Sequence, residues 1–269
     1  MSRIAERFQT LKKDGRKGFV PFVTAGDPNL ETSLEIVLRL AELGADVIEL
    51  GVPFSDPMAD GPTIQRSSQR ALDNGVSLAD VLELAREART KTDTPIILFS
   101  YLNPLLRFGF SSVISHAVDV GLDGILITDA VNEEAAEYSD LLGDAGMDLI
   151  SLIAPTTTDE RLEKITQRSS GFLYAVSRAG VTGAREAMTT DAEQLVVRAR
   201  QFTDLPIAVG FGISKSDQIA DVWRYADAAV VGSAIVSEIG NAAPGSTVAA
   251  VEAFVSGLLP KFAKSGVEL

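Results

Sequence analysis

Eight short apolar runs, separated by stretches with helical spacing of apolar residues, constrain this chain more tightly than any single motif does. The runs cover residues 18–23, 46–50, 95–100, 124–128, 148–153, 171–176, 206–210 and 228–231. The amphipathic stretches between them include 32–43, 78–90, 133–143, 159–168, 191–202 and 215–223. Such alternation is the pattern of a parallel sheet built from βα units, because every parallel connection must cross back over the sheet. Several helical stretches end in a glycine just before the next run, as in Leu43-Gly44-Ala45-Asp46 and Val120-Gly121-Leu122-Asp123, which predicts left-handed C-caps. Eight units close most simply into a (β/α)8 TIM barrel of the α/β class, and 269 residues suit one such domain over 1–269. An open, doubly wound sheet is the alternative; the absence of Gly-x-Gly-x-x-Gly after the first run weighs against it.

Composition narrows the chemistry. There is no cysteine, which removes disulfides, thiolate metal sites and a cysteine nucleophile. The single histidine, His116, sits in a stretch that reads as a surface helix, so its expected role is structural. Carboxylates are left as the acid and base. With 37 acidic against 24 basic residues and a net charge of −13, nucleic acid and anionic membranes are poor partners, although a local phosphate pocket is still allowed. No apolar run is long enough to span a bilayer, and the first residues lack the uninterrupted apolar segment of a signal peptide, so the expected location is the cytoplasm.

The segment from Glu49 to Gln65, Glu-Leu-Gly-Val-Pro-Phe-Ser-Asp-Pro-Met-Ala-Asp-Gly-Pro-Thr-Ile-Gln, carries two acids in a telling arrangement. Side chains alternate along a strand, so Ile48 and Leu50 share one face while Val47, Glu49 and Gly51 share the other. If the apolar pair packs outward against helices, Glu49 points into the sheet interior. Desolvation there raises a carboxyl pKa toward the range useful for proton transfer. Asp60 falls in the following loop, punctuated by Pro53, Pro57, Gly61 and Pro62, which can close over a ligand. Two plainer alternatives stand beside this: Glu49 paired with a buried cation, and Asp60 capping the helix that begins near Pro62.

Barrels place functional residues at the carboxyl ends of their strands. Here those ends read Thr24-Ala-Gly-Asp-Pro, the two-acid loop, Tyr101-Leu-Asn-Pro, Ser177-Arg-Ala-Gly-Val-Thr-Gly-Ala-Arg185, Gly210-Phe-Gly-Ile-Ser and Gly232-Ser-Ala. The last three belong to neighbouring strands. Their glycines let backbone N–H groups approach an anion, and a helix amino end after the eighth strand adds a favourable dipole, together a phosphate cradle that needs no arginine.

With these motifs in place the chain closely resembles the tryptophan synthase α subunit family, from about Phe19 to Val236, through Pro21-Phe-Val-Thr-Ala-Gly-Asp-Pro, the Glu49 to Gln65 segment, Tyr101-Leu-Asn-Pro, Tyr174-Ala-Val-Ser-Arg-Ala-Gly-Val-Thr-Gly, Gly210-Phe-Gly-Ile and Gly232-Ser-Ala. The resemblance implies a lyase that cleaves indole-3-glycerol phosphate to indole and glyceraldehyde 3-phosphate. It implies that Glu49 shuttles protons, that Asp60 stabilises the indole nitrogen, and that Tyr174 stands near the glutamate; an aromatic packing residue is the alternative for Tyr174. Phe22, Phe99, Leu126 and Ile153 would line the indole pocket. Thr182, Gly183, Phe211, Gly212, Gly232 and Ser233 would hold the phosphate, with residues 180–188 a mobile lid. No cofactor or metal is implied for this half-reaction. The implied partner is a pyridoxal-phosphate-containing β subunit in an αββα complex, docking on residues 53–60, the turn at 103–108 and the loop at 129–134. An apolar cluster of Pro104, Leu105, Leu106, Phe108 and Phe110 is expected to face it. A stand-alone indole-releasing lyase and a mainly regulatory subunit with little turnover are the other readings.

One departure stands out. After the fourth run the family has Asp-Leu-Pro before an acidic pair, whereas this chain reads Asp129-Ala-Val-Asn-Glu-Glu134. Val131 leaves the loop freer than proline would, which bears on partner affinity more than on chemistry. Thr128 is also more polar than the small residue or proline expected there.

Overall fold

The computed structural model describes residues 1–130, 132–176, 185–210 and 212–259, the side chains of 132–136 and 185–190 excepted. In chain order its elements are α1 (Arg3–Lys13), β1 (Gly18–Thr24), α2 (Leu30–Glu42), β2 (Ile48–Gly51), α3 (Pro62–Asp73), α4 (Leu78–Arg89), β3 (Ile96–Ser100), α5 (Leu102–Phe108), α6 (Phe110–Val120), β4 (Gly124–Ile127), α7 (Asn132–Asp144), β5 (Asp148–Ile153), α8 (Asp159–Arg168), β6 (Leu173–Val176), α9 (Arg185–Ala199), β7 (Ile207–Gly210), α10 (Ser216–Val222), β8 (Ala228–Val231), α11 (Ser233–Asn241) and α12 (Thr247–Leu258). The eight strands pair in sequence order, all parallel, and β8 returns to β1 to close the barrel. The open-sheet alternative is thereby excluded. Gly44 and Gly121 hold positive φ after α2 and α6, as their place before the next strand predicted.

Two apolar layers result from strand alternation. Ile48, Leu50, Leu98, Ile125, Ile153 and Val209 face outward and pack beneath the helices. Val20, Val47, Ile97, Leu126, Ile150, Phe172, Ala208 and Val230 fill the barrel interior. The lower end is plugged by α1, whose Ile4, Phe8 and Leu11 join the interior cluster. Aspartates just ahead of the strands fasten it there: Asp46 accepts from Arg7 and from the Phe19 backbone, and Asp123 from Arg3, Arg89 and the Ile96 backbone. With α1 filling the lower end, the barrel interior opens at the carboxyl ends of its strands. Among the described residues no helix is long and apolar enough to cross a membrane.

The expected apolar cluster near residue 105 needs correction. Residues 102–108 form a helix rather than a turn, and its spacing directs Leu105 inward against the outer core, where Phe110 is also buried and Phe108 packs in part. Of that group only Leu106, 52% exposed, presents a large apolar surface; Met58 in the two-acid loop, at 92%, is the other prominent one on these segments. His116 lies exposed on α6, its Nδ1 2.7 Å from the Ser112 carbonyl and its ring edge-on to Phe108.

Candidate active site

A cavity of about 410 Å³ opens at the carboxyl ends of the strands, and Glu49, Asp60, Phe22, Phe99, Tyr174, Gly212, Gly232 and Ser233 all line it. Glu49 arrives there by strand alternation: Ile48 and Leu50 lie in the outer layer and Val47 in the inner one, so the carboxyl points into the mouth. It is 0% exposed. Among the described residues neither of its buried oxygens has a hydrogen-bond partner and no cation pairs with it. Burial pushes the Glu49 carboxyl well above the usual carboxylate range.

Asp60 sits just ahead of α3, yet it does not cap that helix. The N-cap is Gly61, which makes no side-chain capping bond, and Pro62 occupies the first turn. The Asp60 carboxyl instead lies within the influence of the Tyr101 hydroxyl, just past the end of β3. Burial raises its pKa and the tyrosine opposes that shift. The same hydroxyl accepts the Ala59 backbone N–H at 2.9 Å. Burial first, and then the charge of Asp60, holds the Tyr101 phenol protonated. Tyr101 had been read only as part of a strand-end motif, and no role followed from its neighbours in sequence.

Tyr174 projects inward from β6, its phenol pushed well up by burial and then by the negative charges of Glu49 and Asp60. It lies against Gly210 so closely that a Cβ there would collide with its hydroxyl. Across the mouth Phe22 and Phe99 meet edge-on, with ring centroids 5.1 Å apart. Gly51 is what lets Phe22 lie flat on β2, since a Cβ at that position would fall 2.6 Å from the ring.

Two of the four expected apolar lining residues are placed differently. Ile153 belongs to the outer core, and the residue of β5 that lines the cavity is its neighbour Leu152. Leu126 does face inward, but it is one layer deeper, in the interior cluster; Thr128, two residues on and on the same face, reaches the cavity wall. Ile64 of α3 and Val176 of β6 complete the apolar wall without having been expected. Of the phosphate set, Gly212, Gly232 and Ser233 converge as anticipated, at the amino end of α11. Thr182, Gly183 and Phe211 lie outside the described residues, as do Val131 and residues 180–184 of the expected lid.

Two acids on one cavity wall, with Gly212, Gly232 and Ser233 on the same barrel mouth, give the arrangement of an acid–base enzyme on a (β/α)8 barrel. The comparisons specify it further. The family model described as "Tryptophan synthase alpha chain" matches residues 8–261. A tryptophan synthase alpha chain of Citrifermentans bemidjiense is 50% identical over 236 residues, 88% of each chain. One from Caulobacter vibrioides is 52% identical over 242 residues, 90% of this chain and 88% of that one. The solved tryptophan synthase subunit alpha of Legionella pneumophila superimposes with a TM-score of 0.89 at 37% identity, covering 96% of this chain and 97% of that one. A ligand-free tryptophan synthase structure from M. tuberculosis gives 0.87 at 31%, covering 96% and 98%. The chain belongs to the tryptophan synthase alpha chain family. Its reaction is the alpha-subunit half-reaction of tryptophan biosynthesis, retro-aldol cleavage of indole-3-glycerol phosphate to indole and glyceraldehyde 3-phosphate, and membership brings with it a β-subunit partner.

Proposed function

We propose that Glu49 moves both protons of this cleavage and that Asp60 carries the charge that develops between the two transfers. The single observation that supports this best is the fully buried Glu49 carboxyl, its two oxygens unpartnered among the described residues, facing a cavity that Gly212, Gly232 and Ser233 also line. A carboxyl so buried keeps its proton at a pH where an exposed one has lost it, which suits it to protonate C3 of the indole ring. The ring becomes an iminium cation with its charge centred on the nitrogen, and the Asp60 carboxylate, oriented by Tyr101, meets that charge. Glu49, now ionised and held by no other group, takes the proton of the glycerol hydroxyl on the carbon attached to C3. The C3–carbon bond then breaks, its electrons return to the ring, and an aldehyde forms. Glu49 ends as it began. Tyr174 bounds the glutamate on the β6 side, and Phe22, Phe99 and Leu152 form the slot for the bicyclic ring.

Phosphate is assigned to Gly212, Gly232 and Ser233, with Thr182, Gly183 and Phe211 completing the set. Gly212 has a φ of +60° and nothing within 4 Å of where a Cβ would stand. Aspartate tolerates that conformation better than most residues, so Gly212→Asp tests charge rather than volume. It is expected to raise KM about tenfold or more, because a carboxylate a few ångströms from a phosphate costs ~1–4 kcal/mol. Steady-state kinetics with glycerol phosphate as competitor checks this: unchanged KM and unchanged inhibition would remove Gly212 from the phosphate site.

The whole chain, 1–269, works as one cytoplasmic domain, and its assembly with the β subunit is αββα. Met58 and Leu106, the exposed apolar residues near the mouth, give the partner its grip. Closure of the loops by the partner shifts the population toward the competent state, so the β subunit is expected to accelerate indole release tenfold or more, equivalent to ~1.4 kcal/mol of coupling. Measuring indole release by the purified chain with and without a β subunit decides among the readings. Full activity alone with no detectable complex fits a stand-alone lyase, and no turnover under either condition fits a regulatory subunit.

A further inference from the structure

Beside the substrate cavity lies a second, smaller one of about 60 Å³, between the upper ends of β4 and β5 and the helices α7 and α8; Tyr138, Leu149, Ser151 and Ile165 are among its lining residues. Thr128 and Leu152 line both cavities and stand between them. The register explains the gap. The β4–β5 ladder ends at the pair Leu126 and Ile150. Past that point β4 leans on its other neighbour, Thr128 N and Oγ1 both donating to the Ser100 carbonyl of β3 at 2.9 and 3.0 Å. Past the same point β5 pairs onward with β6 through Ser151, Leu152 and Ile153. Nothing ties Thr128 to Leu152, and the space behind them stays open.

The substrate's orientation follows from the closed barrel, and the inference rests on the site proposed above. An anion at Gly212, Gly232 and Ser233 belongs to β7 and β8; in a ring of eight strands β4 lies opposite β8. With C3 at Glu49 and N1 at Asp60, the edge of the benzo ring formed by C5 and C6 points across the mouth toward β4 and β5. We propose that Leu152 and Thr128 act as a partition that limits ring size, and that the cavity behind them is a subsite for one compact apolar substituent on C5 or C6 of the indole. A space of about 60 Å³ exceeds the roughly 10–15 Å³ that one water-sized sphere needs, enough for a chlorine or a methyl group.

The reverse reaction provides the test: condensation of glyceraldehyde 3-phosphate with indole, 5-chloroindole, 6-chloroindole or 2-methylindole by the full chain. Leu152→Ala is expected to raise kcat/KM for 5- or 6-chloroindole relative to indole by roughly tenfold or more. Leu152→Val should shift the ratio less in the same direction, and the 2-methylindole ratio should not move. Ser151→Leu, which fills the second cavity from outside the substrate cavity, should cancel the gain when combined with Leu152→Ala. Ratios unmoved in both Leu152 variants, with indole still condensed, overturn the partition. A gain that survives Ser151→Leu places the substituent in the volume vacated by Leu152 and overturns the subsite. A wild-type chain that condenses no indole overturns the site assignment itself, and this inference with it.

Discussion

Glu49→Gln is expected to lower indole release by about 10²–10⁴-fold, the usual contribution of a positioned general acid or base, while the substrate still binds. Glutamine keeps the shape of the side chain and cannot exchange the proton. Near wild-type turnover in this variant would refute the assignment. Burial of the same carboxyl carries a second consequence, for stability. Its folded-state pKa is raised, so between the ordinary glutamate value near 4.3 and the raised one the folded chain retains a proton that the unfolded chain has released. The unfolded state then binds fewer protons, and stability falls as pH rises through that window; the penalty is complete above the folded pKa. Glu49→Met removes the group and both orphaned oxygens. It is expected to stabilise the chain at neutral pH by roughly 1–3 kcal/mol and to abolish that component of the pH dependence. Urea unfolding of wild type and variant at several pH values checks this, and parallel stability curves would count against it.

The opposed effects at one residue show which parts of the site were legible in the sequence. The aim of Glu49 was, because β2 offers an apolar pair on one face and a polar residue on the other. The facing of β5 was not. Both faces of a parallel barrel strand are buried, so apolar residues appear on both, and on β5 the polar Ser151 falls on the outer face, where Ser169 satisfies it. That hid the fact that Leu152 rather than Ile153 lines the cavity. Closure of the barrel was legible from the count and spacing of the runs, and the meeting of Gly212 with Gly232 and Ser233 from strand order. The fate of Leu105 and Phe110 was not, since an apolar cluster in a connection reads alike whether it faces a partner or packs under its own helix. Tyr101 was missed for another reason: its partner segment lies about forty residues earlier in the chain, as the Ala59 contact at a separation of 42 shows, and only barrel closure brings the two loops together.

That Tyr101 contact leads to the second large effect. Asp60→Asn is expected to reduce kcat by about 10²–10³-fold, the scale of losing one preorganised electrostatic group, with less change in KM because the ring is uncharged until C3 is protonated. Tyr101→Phe acts differently. The hydroxyl lowers the Asp60 pKa while burial raises it, so its removal leaves burial unopposed and the pKa rises. The working form is the carboxylate, present above that pKa. The acid limb of the kcat/KM profile should therefore move to higher pH in Tyr101→Phe, with most of the activity recovered on the alkaline side of that limb. In Asp60→Asn the limb belonging to Asp60 should vanish altogether. A uniform loss at every pH in Tyr101→Phe would mean that the tyrosine only packs against Phe54, whose ring lies 5.2 Å away, and does not orient the carboxylate. An acid limb displaced in Tyr101→Phe and absent in Asp60→Asn would tie the charge on this loop to the strand that holds it.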